Sequence, residues 1–285
     1  MSKIAIATDS NSGITQSEGK EMGVSVIPMP FLIDDKEYYE DITLDQDGFY
    51  EMLKGNASVS TSQPSIESLT NTWNEILESS DEIIYIPMSS GLSGSCQTAK
   101  MLAEDYDGKV HVIDNQRISV TQKNAVQDAL RLREAGKSAQ EICKALMDTK
   151  LDASIYIMVD TLKYLRKGGR LTPAVAALGT ILRIKPVLQI QGEKLDTYAK
   201  ARTSKQGVSI MLEAVKKDME QRFGGNPEQV YFNIAHTQNE QGAIELKAAL
   251  REMYPGIGVM INPLSLSVSC HIGPGALAVA LAKKV

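Results

Sequence analysis

The chain has 285 residues, which is more than one domain usually contains, so its length favours two domains. A net charge of −5 argues against nonspecific nucleic-acid binding, because that activity needs a strongly basic field. The three cysteines are scattered and form neither a zinc pattern nor a disulfide framework. No apolar run reaches the roughly 18 residues of a membrane span. We therefore expect a cytoplasmic protein with no stable membrane insertion, no nucleic-acid partner, no metal and no cofactor.

The first half of the chain alternates between strand-like and helix-like segments. Short apolar runs predict strands at residues 4–7, 24–33, 83–86 and 110–113. Helices are predicted from Pro64, after Leu92 and, with a capping box, from Ser138. Alternation of this kind is typical of a parallel sheet that is covered on both faces. We predict an N-terminal α/β domain over residues 1–152 with a mainly parallel sheet.

The second half predicts another α/β domain over residues 153–285. It opens with an apolar strand at 155–159 and continues with a hairpin at 185–195 around Gly192. Further elements follow in the order helix, strand and helix, at 208–219, 230–235 and 243–253. The end is predicted as an extended segment at 259–269, a Gly-Pro-Gly turn and a short Ala-rich helix.

Small hydroxyl side chains cluster where three of the predicted strands end. The clusters are residues 8–10 (TDS), 61–65 (TSQPS) and 89–94 (SSGLSG). Ligands of open α/β sheets bind beyond the carboxyl ends of the strands. The last two clusters also lead into helices, whose free N–H groups favour an anion. A serine or threonine before a helix more often only caps it, but three clusters at one sheet edge favour a ligand site.

The sequence restricts which anion this edge would hold. No lysine follows the glycines as in a P-loop, and no GxGxxG follows the first strand, so both nucleotide fingerprints are absent. Hydroxyls, backbone N–H groups and one imidazole suit a single carboxylate or phosphate. His271 is the candidate imidazole, because the glycines that follow it permit a close backbone approach. His111, inside a strand, and His236, at a strand end, fit structural roles.

One basic cluster stands out in this acidic chain. The spacing i, i+3, i+4, i+7 would place its members on one helix face: Lys163, Arg166, Lys167 and Arg170. Gly168 and Gly169 are expected to end that helix and to leave Arg170 on the following turn. Cations near a helix C-terminus are favourable, and a basic patch also suits an acidic partner, so both interpretations stay open. The run 174–182 that follows is apolar all round, which predicts a buried helix or the wall of an apolar cavity.

These segments, in this order, resemble the DegV family of bacterial fatty-acid-binding proteins. The resemblance spans nearly the whole chain, and its most distinctive stretch is Leu-Arg-Lys-Gly-Gly-Arg. The matching segments are residues 8–10, 61–65, 89–94, 112–114, 160–170, 184–188, 202–203 and 271–275. The resemblance implies two α/β domains with a long-chain fatty acid buried in a tunnel in the cleft between them.

The resemblance also implies roles for individual residues. Thr61, Ser93 and His271 would hydrogen-bond the fatty-acid carboxylate, and Ser62 and the Gly94 backbone would support them. The chain itself would have no catalytic centre.

A separate ATP-dependent kinase subunit, similar to dihydroxyacetone kinase, would phosphorylate the bound carboxylate to an acyl phosphate. That subunit would dock on the basic residues Arg166, Lys167, Arg170 and Arg202.

One departure from the family pattern concerns the segment after Asp114. Thr121 and Lys123 occupy positions where the family usually has glycine. Larger polar side chains there are expected to narrow the tail cavity or to alter its rim, which affects the preferred acyl chain.

Two other functions remain open from the residues alone. In a hydrolase of small acyl or phosphoryl esters, Ser93 or Thr61 would be the nucleophile and His271 the base. The sequence has no G-x-S-x-G elbow and no evident acidic partner for the histidine. In a docking protein, the basic face over residues 163–170 would be the active surface.

Overall fold

A computed structural model describes residues 2–55, 57–178 and 184–285 of the chain. The chain divides into two compact units. The first comprises the chain up to Lys150 together with Ser265–Ser267 and Val285, and the second comprises Leu151–Leu264 and Val268–Lys284. The division therefore falls two residues before the predicted boundary, and a short late segment returns to the first unit.

The first unit contains a parallel sheet and a small antiparallel sheet. Its strands are β1 (Ile4–Asp9), β2 (Val24–Ile27), β3 (Pro30–Ile33), β4 (Lys36–Tyr39), β5 (Val59–Thr61), β6 (Glu82–Ile86) and β7 (Val110–Val112). Its helices are α1 (Gln16–Met22), α2 (Gln46–Lys54), α3 (Ile66–Leu77), α4 (Ser95–Ala103), α5 (Ser119–Glu134) and α6 (Ala139–Asp148). The order β2-β1-β6-β7 is parallel throughout, and β4-β3-β5 is antiparallel.

Apolar side chains cover both faces of the parallel sheet, as the strand and helix alternation predicts. Ile6 and Ile84 belong to a cluster that includes residues of α5 and α6. Ala7 and Tyr85, the next residues along the same two strands, pack with Trp73 of α3. Because successive strand residues point to opposite faces, this arrangement buries the sheet between two helical layers.

The second unit is built on a mixed sheet of six strands in the order β10-β9-β8-β13-β11-β12. Its strands are β8 (Ala153–Met158), β9 (Lys185–Ile190), β10 (Leu195–Ala201), β11 (Val230–His236), β12 (Val259–Pro263) and β13 (Leu277–Lys283). Its helices are α7 (Lys163–Lys167), α8 (Pro173–Leu178), α9 (Ser204–Gln221), α10 (Glu240–Met253) and α11 (Leu266–Ile272), the last of which begins in the segment assigned to the first unit. The predicted hairpin is present, because β9 and β10 pair in antiparallel fashion.

The C-terminal prediction is wrong in two places. The Ala-rich segment is strand β13, not a helix, and it lies between β8 and β11 with antiparallel pairing on both sides. Six of its seven residues are buried, so ladder pairing and burial override the helix propensity of alanine. Part of the segment predicted to be extended is helix α11, so His271 lies in the last turn of a helix rather than before one.

Two further points concern the apolar segments of the second unit. Helix α8 covers the first part of the apolar run 174–182, and residues 179–182 lie outside the described residues. Across the described ranges, no helix combines the length and the apolar character that a bilayer span requires.

Candidate ligand-binding site

A buried carboxylate organises the carboxyl edge of the parallel sheet. Asp9 is the last residue of β1, and its Oδ2 accepts the Met88 backbone N–H at 2.8 Å. Its Oδ1 accepts the N–H of Asn11 at 3.0 Å, and the hydroxyl of Thr8 donates to the Ile86 carbonyl at 2.7 Å. The first hydroxyl cluster, residues 8–10, therefore joins the ends of β1 and β6 and holds the chain just before residues 89–94.

Gln122 of α5 completes this network, and sequence reasoning missed it. Its amide nitrogen donates to Asp9 Oδ1, to Thr8 Oγ1 and to the Ile86 carbonyl, each at 3.1 Å. Asp9 is fully buried, and burial raises its pKa to about 6 against the opposing effect of the donors. No sequence signal marks Gln122, because its partners are distant in the chain: Ile86 is 36 positions away, Asp9 is 113 and Thr8 is 114.

The other two hydroxyl clusters lie side by side. The side-chain oxygen of Gln63 accepts the hydroxyl of Thr98 at 3.0 Å, and a Cβ built on Gly94 would be 3.8 Å from the same oxygen. Thr61 and Ser93 are half-buried, whereas Ser62 and Gly94 are exposed. Gln63 of the second cluster therefore lies close to Gly94 of the third, and the grouping of Thr61, Ser62, Ser93 and Gly94 into one site stays a prediction.

In the cluster at residues 61–65, only Ser65 acts as a helix cap. Ser65 caps α3, because its hydroxyl accepts the Ser68 N–H at 3.0 Å, so the helix begins at Ile66 rather than at Pro64. Thr61 and Ser62 are not needed for this cap. At α4 the N-cap residue is Gly94, which has no side chain to offer, and Ser93 Oγ accepts the Ser95 N–H at 3.2 Å.

The loop before α4 is also held from the neighbouring strand. Asp114, just beyond β7, accepts the Ser90 N–H at 3.2 Å through one oxygen. Its other oxygen lies 3.4 Å from Lys100 Nζ. These contacts keep the pKa of Asp114 below its usual range despite partial burial, so the loop is tied to an ionised carboxylate.

In the second unit, two aromatic rings pack on two glycines. The imidazole of His271 lies against Gly168, where a Cβ would overlap Nδ1 and come within 2.7 Å of Cε1. The ring of Tyr164 lies against Gly273, where a Cβ would come within 2.5 Å of Cε2. The two segments that the sequence singled out, 160–170 and 271–275, are therefore packed against each other.

Thr237, at the end of β11, holds the turn that follows His271. Its hydroxyl donates to the Gly273 carbonyl at 2.7 Å and accepts the Ala276 N–H at 2.9 Å. Its carbonyl accepts the Gly275 N–H at 2.7 Å. Gly273 and Gly275 have φ values of 76° and 83°, which favour glycine. Sequence reasoning missed Thr237, which is an ordinary residue at a strand end.

The environment of His271 keeps its imidazole neutral. Burial, with a smaller contribution from the Arg170 charge, lowers its pKa to about 4. A neutral imidazole offers one N–H donor and one acceptor. The other histidines have local partners, as expected of structural residues: His111 Nε2 lies 2.8 Å from Glu82, and His236 Nδ1 accepts the Asn239 N–H at 3.3 Å.

Comparison with known proteins assigns the family. Residues 3–284 match the family model described as "Uncharacterised protein, DegV family". The chain belongs to the DegV family. It is 31% identical over 280 residues to a DegV domain-containing protein of Deinococcus radiodurans, covering 98% of each chain.

Two solved DegV structures have the same fold. One is described as showing fatty acid binding of a DegV family protein from Thermus thermophilus, with a TM-score of 0.90, 27% identity and 99% of each chain covered. The other is DegV, a fatty acid binding protein from Bacillus subtilis, with a TM-score of 0.89, 30% identity and complete coverage of both chains.

In this DegV chain the basic cluster has the predicted local geometry. Helix α7 ends at its C-cap Gly168, and Arg170 lies on the following turn, where its Nη1 donates to the Gly168 carbonyl at 2.8 Å. Arg166, Lys167 and Arg170 are exposed, and so is Arg202 before α9.

The two residues at usual glycine positions of DegV proteins have partners in the first unit. The hydroxyl of Thr121 donates to the Ile118 carbonyl at 2.8 Å at the start of α5. Lys123 is buried, and its Nζ lies 2.6 Å from a carboxylate oxygen of Glu18 in α1. Their expected effect on a tail cavity stays a prediction.

Within the described residues, no group of three or more His, Cys, Asp and Glu side chains could hold a metal ion.

Proposed function

We propose that this DegV-family protein binds a long-chain fatty acid and presents its carboxylate to a separate kinase subunit. The observation that carries the proposal is the match to two DegV proteins described as fatty-acid-binding, at 27% and 30% identity over 99% and 100% of this chain. The chain acts as a carrier, and the partner performs the phosphorylation.

We assign the head group to the polar residues that the DegV resemblance implies. Thr61 and Ser93 donate hydroxyl hydrogen bonds, and His271 donates its single ring N–H. Ser62 and the Gly94 N–H support the same carboxylate. The neutral state of His271 supports this role, because a neutral ring adds a directed donor to the site without a buried charge.

The energetics assign different tasks to the tail and the head group. Burial of a tail of about sixteen carbons at ~0.8 kcal/mol per methylene gives roughly 12 kcal/mol before ordering costs. Each charge-assisted hydrogen bond contributes at most about 1.5–3 kcal/mol. The tail therefore sets the affinity, and the polar groups set the orientation of the carboxylate.

The environment of His271 counts against the hydrolase alternative. A general base works best when its pKa lies near the working pH, and burial lowers the pKa of this imidazole to about 4. A serine hydrolase also needs to stabilise the imidazolium that forms, whereas the nearby Arg170 disfavours it.

We assign the exposed basic residues to docking of the kinase subunit. One carboxylate oxygen attacks the γ-phosphorus of ATP, ADP leaves, and an acyl phosphate remains on the carrier. Arg166, Lys167, Arg170 and Arg202 are exposed and suit an acidic surface on the ATP-dependent subunit, which resembles dihydroxyacetone kinase.

Calorimetry with delipidated protein tests the binding proposal. Palmitate and oleate should bind, and native mass spectrometry of freshly purified protein should show a bound acyl chain. Ser93→Ala should weaken palmitate binding, whereas Thr72→Ala, which removes a hydroxyl bonded within α3, should not. The proposal would be refuted if the purified protein carried no acyl chain and the delipidated protein bound neither palmitate nor oleate.

A separate assay tests the kinase partner. The Arg202→Glu variant should bind palmitate as the wild type does but lose most ATP-dependent acyl phosphate formation with the kinase subunit. Arg251→Glu, an equally exposed change on α10, is the matched control. Equal transfer by the two variants would exclude Arg202 from the docking surface.

A further inference from the structure

A turn at residues 273–276 joins α11 to β13 and directly follows the helix turn that carries His271. The N–H of Gly273 donates to the Ser269 carbonyl at 2.8 Å and thereby closes the end of α11. The helix has only seven residues, and a helix this short is marginal unless tertiary contacts support it. The position of the last turn of α11 therefore depends on the contacts that hold the turn after it.

Thr237 holds this turn at both ends. The residue is 1% exposed and follows β11, which is paired with β12 on one side and β13 on the other. Its hydroxyl donates to the Gly273 carbonyl at 2.7 Å and accepts the Ala276 N–H at 2.9 Å. Its backbone N–H donates to the Ala276 carbonyl at 3.1 Å, and its carbonyl accepts the Gly275 N–H at 2.7 Å. The turn is thus bonded, through a single buried residue, to the end of a strand inside the sheet.

Asn239 holds the same turn with its side chain. It is the N-cap residue of α10, a position where asparagine usually caps the helix, but within the described ranges its side chain makes no capping hydrogen bond. Its Nδ2 donates instead to the Gly275 carbonyl at 3.3 Å. Gln238, between Thr237 and Asn239, has a φ of 47°, which is uncommon for a residue other than glycine. A strained conformation of this kind persists where surrounding contacts fix it.

Asp160 and Tyr164 pack against the two glycines of the turn. A Cβ built on Gly275 would lie 2.7 Å from Asp160 Oδ2, and a Cβ built on Gly273 would lie 2.5 Å from Tyr164 Cε2. Side chains therefore confine the backbone of the turn in addition to the hydrogen bonds from residues 237–239. A displaced turn would shift the end of α11 and carry the imidazole of His271 with it.

We propose that Thr237 and Asn239 are positioning residues for His271, because they fix the turn 273–276 and thereby aim the imidazole at the carboxylate of the bound fatty acid. This inference rests on the proposed function. A side chain that donates one directed hydrogen bond to a ligand needs supporting hydrogen bonds that lock its position. Thr237 and Asn239 act through the backbone of the turn and do not contact the ligand.

The Thr237→Val variant tests the inference, because valine keeps the shape of threonine but removes both hydroxyl hydrogen bonds. In delipidated protein, the NMR signal of the His271 Cε1 proton should shift, and the pKa of His271 should rise from about 4 towards 6.5 as the displaced ring becomes hydrated. Palmitate should bind about tenfold more weakly, as expected for one lost charge-assisted hydrogen bond.

Thr237→Ser, which keeps the hydroxyl, should restore both the His271 signal and palmitate binding. Thr197→Val is the matched control in the same unit. The Thr197 hydroxyl is buried and has no hydrogen-bond partner in the part of the chain that the structure describes. This control should leave the His271 signal and palmitate binding unchanged.

Asn239→Ser is a milder second variant, which decides the question if Thr237→Val does not fold. Serine is as good an N-cap as asparagine, but its shorter side chain does not reach the Gly275 carbonyl. The His271 signal should shift less than in Thr237→Val, and palmitate affinity should fall about threefold.

An unchanged His271 signal in both variants would overturn the positioning role, and so would a loss of palmitate affinity in Thr237→Val that Thr237→Ser does not reverse. Failure of the wild-type protein to bind palmitate would instead refute the proposed function. The two failures are distinguishable, because the His271 signal is measured in delipidated protein without any ligand.

Discussion

The imidazole of His271 and the backbone of Gly168 lie in direct contact, with no room for a side chain between them. This contact joins the end of the basic helix α7 to the last turn of α11. Residue 168 is therefore glycine for two reasons: it caps the end of α7, and a side chain there would collide with the imidazole of His271. The position of the imidazole therefore depends on residue 168.

The Gly168→Ala variant should displace His271. A Cβ at this position would overlap Nδ1, so the ring or the helix end must move. Overpacking of this kind costs typically about 1–3 kcal/mol, and palmitate binding should weaken about tenfold if one head-group hydrogen bond is lost. Gly258→Ala is the control, because a Cβ there meets nothing within 4 Å. Unchanged affinity in Gly168→Ala would show that this contact does not position His271 for binding.

Arg170→Ala should raise the pKa of His271. The Arg170 charge disfavours the imidazolium, so its removal makes protonation easier. Burial is the larger cause and remains, so the pKa should stay below the ordinary value of 6.5. An NMR titration of the His271 Cε1 proton measures this change, with Arg166→Ala as the control on the same basic segment. A pKa equal to that of the wild type would contradict the assigned effect.

Asp9→Asn should destabilise the first unit. The carboxylate of Asp9 accepts from Met88, Asn11 and Gln122, and an amide would turn an NH₂ group toward one of these donors. An unsatisfied buried donor costs about 1–3 kcal/mol. Urea unfolding at pH 8 measures the loss, and Asp148→Asn on the exposed face of α6 is the control. Equal stability of the two variants would show that the network around Asp9 contributes little.

Glu40→Gln should flatten the pH dependence of stability. Glu40 accepts the Leu266 N–H at 2.8 Å and the Gln46 side chain at 2.7 Å, and burial raises its pKa from 4.5 to about 7. The folded state thus binds the proton more tightly than the unfolded state. The contribution of protonated Glu40 is fully present below pH 4.5 and is lost as the pH rises to about 7.

Denaturant unfolding at pH 5 and pH 8 tests whether the stabilising contribution of Glu40 falls as the pH rises. Relative to Glu40→Gln, the wild-type protein should lose about 1–3 kcal/mol of unfolding free energy between these pH values. Glu51→Gln, on the exposed face of α2, should keep the wild-type pH dependence. A wild-type curve parallel to that of Glu40→Gln would contradict the prediction.

The sequence alone determined the local features of this protein. Period and capping are properties of neighbouring residues, so β1, β6 and β7, the capping box at Ser138 and the end of α7 at Gly168 were predictable. The hydroxyl segments before α3 and α4 were predictable for the same reason. The predicted strand at 24–33 is instead two strands, β2 and β3, which belong to different sheets. The order of the motifs was sufficient to indicate the DegV family, which the family match confirms.

Only the tertiary structure decided the features that depend on distant partners. The Ala-rich segment became β13 because β8 and β11 pair with it on both sides and bury it. Gln122 reaches Asp9 across 113 residues, and Thr237 holds the turn after His271. Hydrogen bonding and burial depend on residues that are far apart in the chain, so a local sequence pattern does not reveal them.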